Sequence, residues 1–149
     1  MIYWFTGQPS TGKTTLANML KKEKYYSQSS KKQCFTVDGD DLRNLFDNKD
    51  YSEKGRRDNV LLAQRISLYL HTKGFDVIVS LVSPYKDIRE AFKEKLGMYI
   101  REFYIHCTDP RERDSYRVKD YESPTENFID IDTTYNSPKQ SLMEILKKI

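Results

Sequence analysis

Gly7-Gln8-Pro9-Ser10-Thr11-Gly12-Lys13-Thr14 comes after the apolar run Ile2–Phe5, and Leu16, Met19 and Leu20 follow it at helical spacing. Two glycines, a lysine and a hydroxyl residue at these intervals describe a loop that leaves a strand, wraps an anion and opens a helix. The glycines let the backbone come close to the anion, and the unpaired N–H groups of the new helix point at it. Lys13 then places a point charge on the outer phosphates of a nucleoside triphosphate, and Thr14 offers its hydroxyl to Mg²⁺, which keeps most of its water. The segment from Gly7 to Thr15 (Gly7, Gln8, Pro9, Ser10, Thr11, Gly12, Lys13, Thr14, Thr15) is therefore the expected binding loop for ATP. A Gly/Ser/Thr-rich turn that merely precedes a lysine would not explain the order strand, loop, helix.

The rest of the chain repeats that alternation. Apolar or β-branched runs at Ile2–Phe5, Cys34–Val37, Asp76–Val82, Ile100–Cys107 and Phe128–Ile131 read as strands. Helical patterns between and after them fall at about 13–24, 40–46, 53–73, 86–97 and 139–148. Strands separated by helix-length segments predict an α/β fold with a mainly parallel five-stranded sheet and helices on both faces. Ile88, Ala91, Phe92 and Leu96 share one helical face, as do Leu142, Ile145, Leu146 and Ile149, so both helices should dock on the sheet. Val77-Ile78-Val79 with Leu81-Val82 is nearly continuous in apolar residues, as expected of a central parallel strand. Ser27–Lys32 reads as a polar loop between the first helix and the second strand.

A chain of 149 residues without a Pro/Gly/Ser-rich linker suits one domain. With 38% hydrophobic and 32% charged residues its apolar runs are too short to span a bilayer, and the N-terminus lacks a basic and apolar leader, which points to the cytoplasm. A formal charge of +3, with lysines dispersed apart from a few pairs, fits a small polyphosphate better than nucleic acid. Cys34 and Cys107 have no metal-ligand spacing and read as buried, reduced thiols.

In open α/β sheets, ligands gather beyond the carboxyl ends of the strands. After the second strand stands Asp38-Gly39-Asp40-Asp41-Leu42-Arg43, where carboxylates could deprotonate an attacking hydroxyl or hold a metal's water, and an arginine could stabilise phosphoryl charge. A helix cap at Asp40 is the structural alternative. Arg56-Arg57-Asp58-Asn59 opens the long helix with cations that could clamp an anion, and Ser83-Pro84-Tyr85 closes the third strand.

Taken in order, Trp4-Phe5-Thr6-Gly7, Asp38 to Arg43, Tyr51-Ser52 before Arg56-x-x-Asn59, Val79 to Tyr85, and Phe128 to Asp132 with Tyr135-Asn136-Ser137-Pro138 resemble the adenylylsulfate kinases. That resemblance implies transfer of the γ-phosphoryl of ATP, with Mg²⁺, to the ribose 3′-hydroxyl of a nucleotide. It implies that Lys13, Asp38 and Asp40 are catalytic, with Asp38 and Asp40 flanking the acceptor hydroxyl and a metal also held by Thr14. It also implies that Arg43, Arg56 and Asn59 bind the acceptor with Asp40, that Ser83, Pro84 and Tyr85 shape its pocket, and that Phe128 stacks on its base. A short lid would span about 109–127, with Arg117 and Lys119 standing in for lid cations.

The chain departs from the family in two places. Its lid, Arg113-Asp114-Ser115-Tyr116-Arg117-Val118-Lys119-Asp120-Tyr121, is shorter and more acidic, and Asn127-Phe128-Ile129-Asp130 stands where the family has Phe-Thr-Gly. Relatives acting on cytidine diphosphoramidate in surface-polysaccharide modification are thus an alternative model for the acceptor. A nucleotide switch without an acceptor is the competing class, although Asn48-Lys49-Asp50-Tyr51 lacks the last aspartate of a guanine signature. The apolar stretch from Leu61 to Leu70 could serve a homodimer or the core alike.

Overall fold

Side chains alternate across a strand, and in β1 (Ile2–Thr6) that alternation divides the core in two. Ile2 and Trp4 enter one apolar cluster, whereas Tyr3 and Phe5 enter another. β3 (Asp76–Ser80) divides in the same way, Val77 and Val79 going to the first cluster and Ile78 to the second. A strand that must satisfy apolar layers on both faces reads as an unbroken apolar run, which is why β1 and β3 look as they do in the sequence.

The first cluster is closed by α3 (Glu53–Thr72) and α4 (Lys86–Leu96), through Val60, Ala63, Phe92 and Leu96, and by Leu42 of α2 (Gly39–Leu45). The second is closed by α1 (Lys13–Tyr26) and α5 (Pro138–Leu146), through Leu16, Ala17, Leu20, Leu142 and Ile145. Leu62, Ile66, Leu68 and Leu70 of α3 pack against the first cluster, so the apolar stretch of that helix is spent at least in part within the fold. β2 (Cys34–Asp38), β4 (Ile100–His106) and β5 (Phe128–Asp132) complete a five-stranded sheet of order β2-β3-β1-β4-β5, in which every pairing is parallel. These are the features of a computed structural model that describes residues 1–26, 33–109 and 117–149. The polar loop expected at Ser27–Lys32 and the lid residues Arg113 to Tyr116 lie outside the described residues.

Element boundaries follow from local hydrogen bonding. β3 stops at Ser80, short of the apolar run through Val82, and beyond it the Thr6 hydroxyl donates to the Val82 carbonyl at 2.8 Å. α5 begins one residue earlier than its apolar period suggests, since Ser137 and Gln140 form a reciprocal capping box with Pro138 in the first turn. Cys34 and Cys107 are both free thiols, Cys107 lying just past β4, and burial pushes the Cys34 thiol up to about 11. Among the described residues, no helix is long and apolar enough to cross a membrane.

The chain leaves β1 toward β2 on one side and returns past it to β4 and β5 on the other. The carboxyl end of β1 is therefore the point where the winding reverses and a crevice must open.

Candidate active site

At that point lies a cavity of about 1080 Å³. Its floor is the loop from Pro9 to Thr15, and Gly7 explains why the loop sits so low. A Cβ at Gly7 would stand 2.0 Å from the Ile105 carbonyl oxygen, at a φ of +149° that side chains avoid. Ser10 and Gly12 also have positive φ, 63° and 93°, so the backbone curls around the cavity floor before α1 begins. The first turn of α1 holds no acidic residue, leaving its N–H groups and the positive end of its dipole open to an anion.

Lys13 is only 8% exposed, and its ammonium donates to the Gln8 carbonyl at 2.6 Å. Burial lowers its pKa to about 8, against the opposing pull of Asp38 and Asp40. Gln8 turns its side chain from the floor, donating from Nε2 to the Val118 carbonyl at 2.9 Å and accepting the Val118 N–H at 2.9 Å. It thereby ties the loop to the segment that begins at Arg117. Thr133, just past β5, donates its hydroxyl to the Thr11 carbonyl at 3.0 Å.

One wall comes from the end of β2. Asp38 is the N-cap of α2: its Oδ1 accepts the Asp40 N–H at 2.9 Å, while Oδ2 accepts the hydroxyls of Thr14 at 2.8 Å and Ser80 at 2.7 Å. The cap is thus Asp38, and Asp40 is the second residue of the helix, with an exposed side chain, and lines the cavity. Thr14 gives its proton to Asp38, so its oxygen lone pairs are left for a cation. Among the described residues no three His, Cys, Asp or Glu side chains gather into a metal cluster. A hydroxyl and one nearby carboxylate suit Mg²⁺, which takes few protein ligands and relies on phosphate oxygens and water.

Beside it the lining continues with Arg56 and Asn59 from α3 and Ser83 and Pro84 after β3. Asn59 donates to the Gly39 carbonyl at 3.2 Å, which leaves its buried Oδ1 without a protein partner. Ser83 has φ +45° and a buried hydroxyl that also lacks one. Buried polar atoms without partners are rare, and two belong to residues that line this cleft. Arg43 lines the cavity too, but its guanidinium donates to the Asp50 carbonyl at 2.8 Å and to Asn48 Oδ1 at 3.2 Å, and lies 4.3 Å from the Tyr51 ring centre.

Three expected acceptor residues stand elsewhere. Tyr85 is 5% exposed and sits behind the wall, with the Arg57 guanidinium 4.3 Å from its ring centre. Lys119 is exposed and is not among the cavity's lining residues, a place taken by Arg117 and Val118. Phe128 opens β5 opposite Glu102 and lines a different cavity with Lys93 and Arg101. The cleft forms at the carboxyl ends of the strands, and Phe128 is the amino-terminal residue of its strand, so base stacking there is corrected to packing beside β4. From that part of the chain Tyr121 reaches the end of β1, its hydroxyl 2.9 Å from Thr6 Oγ1. Ser80 and Tyr121 gave no site signal in the sequence, since a serine ending a strand and one tyrosine among eleven are unremarkable.

A family model for adenylylsulphate kinase matches residues 1–146. The chain belongs to the adenylylsulfate kinase family. It is a P-loop phosphotransferase that acts on a hydroxyl group, and the family pattern covers the sheet, the loop and the lining of the cleft. An adenylyl-sulfate kinase from Pseudomonas aeruginosa is 32% identical over 93% of this chain and 72% of its own. A cytidine diphosphoramidate kinase from Campylobacter jejuni is 28% identical over 95% of this chain and 84% of its own. In fold, the chain superposes on the APS kinase of Mycobacterium tuberculosis in complex with AMPPNP and APS with a TM-score of 0.80. That likeness has 19% identity and covers 98% of this chain and 95% of the other.

Proposed function

We propose that this enzyme transfers the γ-phosphoryl of ATP to the ribose 3′-hydroxyl of adenylylsulfate or a nucleotide much like it. The observation that carries the reading is the meeting of Lys13 and Thr14 with Asp38 and Asp40 in one cavity that Arg56, Asn59 and Ser83 also line. Phosphoryl transfer needs little covalent help from a protein, and positioning and charge stabilisation do most of the work. Lys13 would leave the Gln8 carbonyl for the outer phosphates. Thr14 and Asp38 would hold Mg²⁺, which when bound would supply positive charge against the phosphates. The exposed Asp40 carboxylate takes the proton of the attacking hydroxyl, and Arg56 and Asn59 orient the acceptor nucleotide.

The test is a mass-spectrometric screen of ATP with adenylylsulfate, cytidine diphosphoramidate and ordinary nucleosides. An acceptor heavier by one phosphoryl group is the expected product, and ATP hydrolysis or binding alone would make the chain a nucleotide switch. Cytidine diphosphoramidate is the second reading because a relative of that activity matches 95% of this chain. Asp40→Asn should lower kcat by about 10²–10⁴-fold, the usual worth of a positioned base. Near-normal turnover would remove Asp40 from that role.

Lys13 sets a pH dependence. With its pKa held near 8 in the free enzyme, part of the population is neutral just above that pH, and a bound polyphosphate favours the charged form. Nucleotide binding should therefore take up a proton and weaken as pH rises through 8. Titration calorimetry in buffers of different ionisation enthalpy reads this directly, and a binding enthalpy independent of the buffer at pH 8.5 would contradict it.

A further inference from the structure

Arg89 lies on α4, outside the cavity and 2% exposed, yet it touches three separate parts of the chain. One terminal nitrogen, Nη1, donates to the Ser83 carbonyl. The other, Nη2, donates to the Glu122 carbonyl. Its Nε stands 2.9 Å from Glu102 Oε1 on β4, where both side chains are 1% exposed. That contact pairs charges without the alignment of a hydrogen bond.

Around this fork the cleft's rim is assembled. The Glu122 N–H donates to the Pro84 carbonyl at 2.9 Å, and the Glu122 carboxylate accepts the Lys86 N–H, covering the start of α4, which has no side-chain cap of its own. The neighbouring Tyr121 ring lies 5.7 Å from the Arg89 guanidinium, and its hydroxyl meets Thr6. The Thr6 hydroxyl in turn lies 3.4 Å from the Ser83 carbonyl that Arg89 holds. Ser83 itself has the left-handed φ of +45°, a conformation that a side-chain-bearing residue keeps only when its surroundings impose it. Ser83 lines the cavity in which the acceptor is proposed to bind, and its hydroxyl is buried without a partner.

We propose that Arg89 is a positioning residue for the acceptor: its planar fork holds the Ser83 turn and the Tyr121–Glu122 rim in one register, so that the wall facing the acceptor is preformed. This rests on the acceptor site proposed above. A planar guanidinium presents its donors from separate nitrogens in a rigid fork and so fixes the spacing of two carbonyls, whereas an ammonium reaches its acceptors from one nitrogen on a flexible stem. The charge pairing with Glu102 and the holding of Ser83 are therefore separable by mutation.

The experiment compares Arg89→Lys and Glu102→Gln with the wild type, using ATP and whichever of adenylylsulfate and cytidine diphosphoramidate the wild type phosphorylates. Arg89→Lys keeps the ion pair and loses the fork, so KM for the acceptor should rise about tenfold, while KM for ATP stays within about twofold. Glu102→Gln keeps the fork and loses the pair, so the thermal midpoint should fall while both KM values hold. An Arg89→Lys enzyme with an unchanged acceptor KM, or with both KM values rising together, would overturn the proposal. Should that variant not fold, Arg89→Gln decides: its neutral amide cannot span the Ser83 and Glu122 carbonyls as the fork does, and an unchanged acceptor KM would overturn the proposal too. A wild type that phosphorylates neither acceptor fails in a different way, ending the functional reading and this inference together.

Discussion

Lys13→Ala abolishes phosphoryl transfer without unfolding the protein: kcat/KM is expected to fall by about 10³-fold or more, the scale of losing a charge aimed at the developing transition state. The thermal midpoint should hold or rise. Burial drives the Lys13 pKa from 10.5 down to about 8, so at neutral pH the folded state carries a charged ammonium under less favourable conditions than the unfolded chain does. Because the folded pKa is the lower one, that penalty is full below pH 8 and fades as pH rises toward 10.5. Any stability advantage of the alanine variant over the wild type must shrink over the same interval. Steady-state kinetics and calorimetric melts at pH 7 and pH 10 check both halves. A variant that keeps turnover, or that melts well below the wild type at pH 7, would show that Lys13 serves the fold rather than the phosphates.

Glu102→Ala has the opposite signature. Glu102 is 1% exposed and lies 2.9 Å from Arg89 and 2.6 Å from Lys93, itself only 10% exposed at its side chain. Removing one member of a buried pair leaves the other charge uncompensated in a medium that solvates it poorly, a loss of about 3–5 kcal/mol. Here Arg89 loses its carboxylate, whereas Lys93 retains Glu90 at 2.9 Å. Asp87→Ala is the control: it breaks the Arg57 contact at 2.9 Å, but Asp87 is 64% exposed and water replaces the partner, so about 1 kcal/mol or less is expected. Urea titration of the three proteins measures the difference. Equal losses for the two variants would mean that the Glu102 site is hydrated and that the ion pair does not organise the core.

The phosphate-binding loop was legible because its physics is local. Gly7, Gly12, Lys13 and Thr14 act through backbone angles and hydrogen bonds within a few residues of one another, so their spacing alone predicts strand, curl and helix. The parallel sheet was legible for a related reason, since Ile2–Phe5 and Val77–Val79 advertise two buried faces. The resemblance to the family located Asp38, Asp40, Arg56, Asn59 and Ser83, all of which line the cleft. Phe128 was misplaced because strand register is a contact between distant segments. Pairing with Glu102 puts it at the wrong end of its strand for the cleft, and nothing in Asn127-Phe128-Ile129 reports that pairing.

What the amino-acid order determined by itself is the kind of protein: an α/β chain with a phosphate-gripping turn, acids at the end of the next strand, and two apolar layers to close over the sheet. Tertiary structure alone decided how those groups are aimed. Ser80 reaches Asp38 across 42 residues, Gln8 reaches Val118 across 110, and Arg89 joins Ser83 to Glu122. A local pattern can specify backbone angles, but the direction of a carboxylate or the seat of a buried guanidinium depends on partners that only the assembled sheet brings within hydrogen-bonding distance.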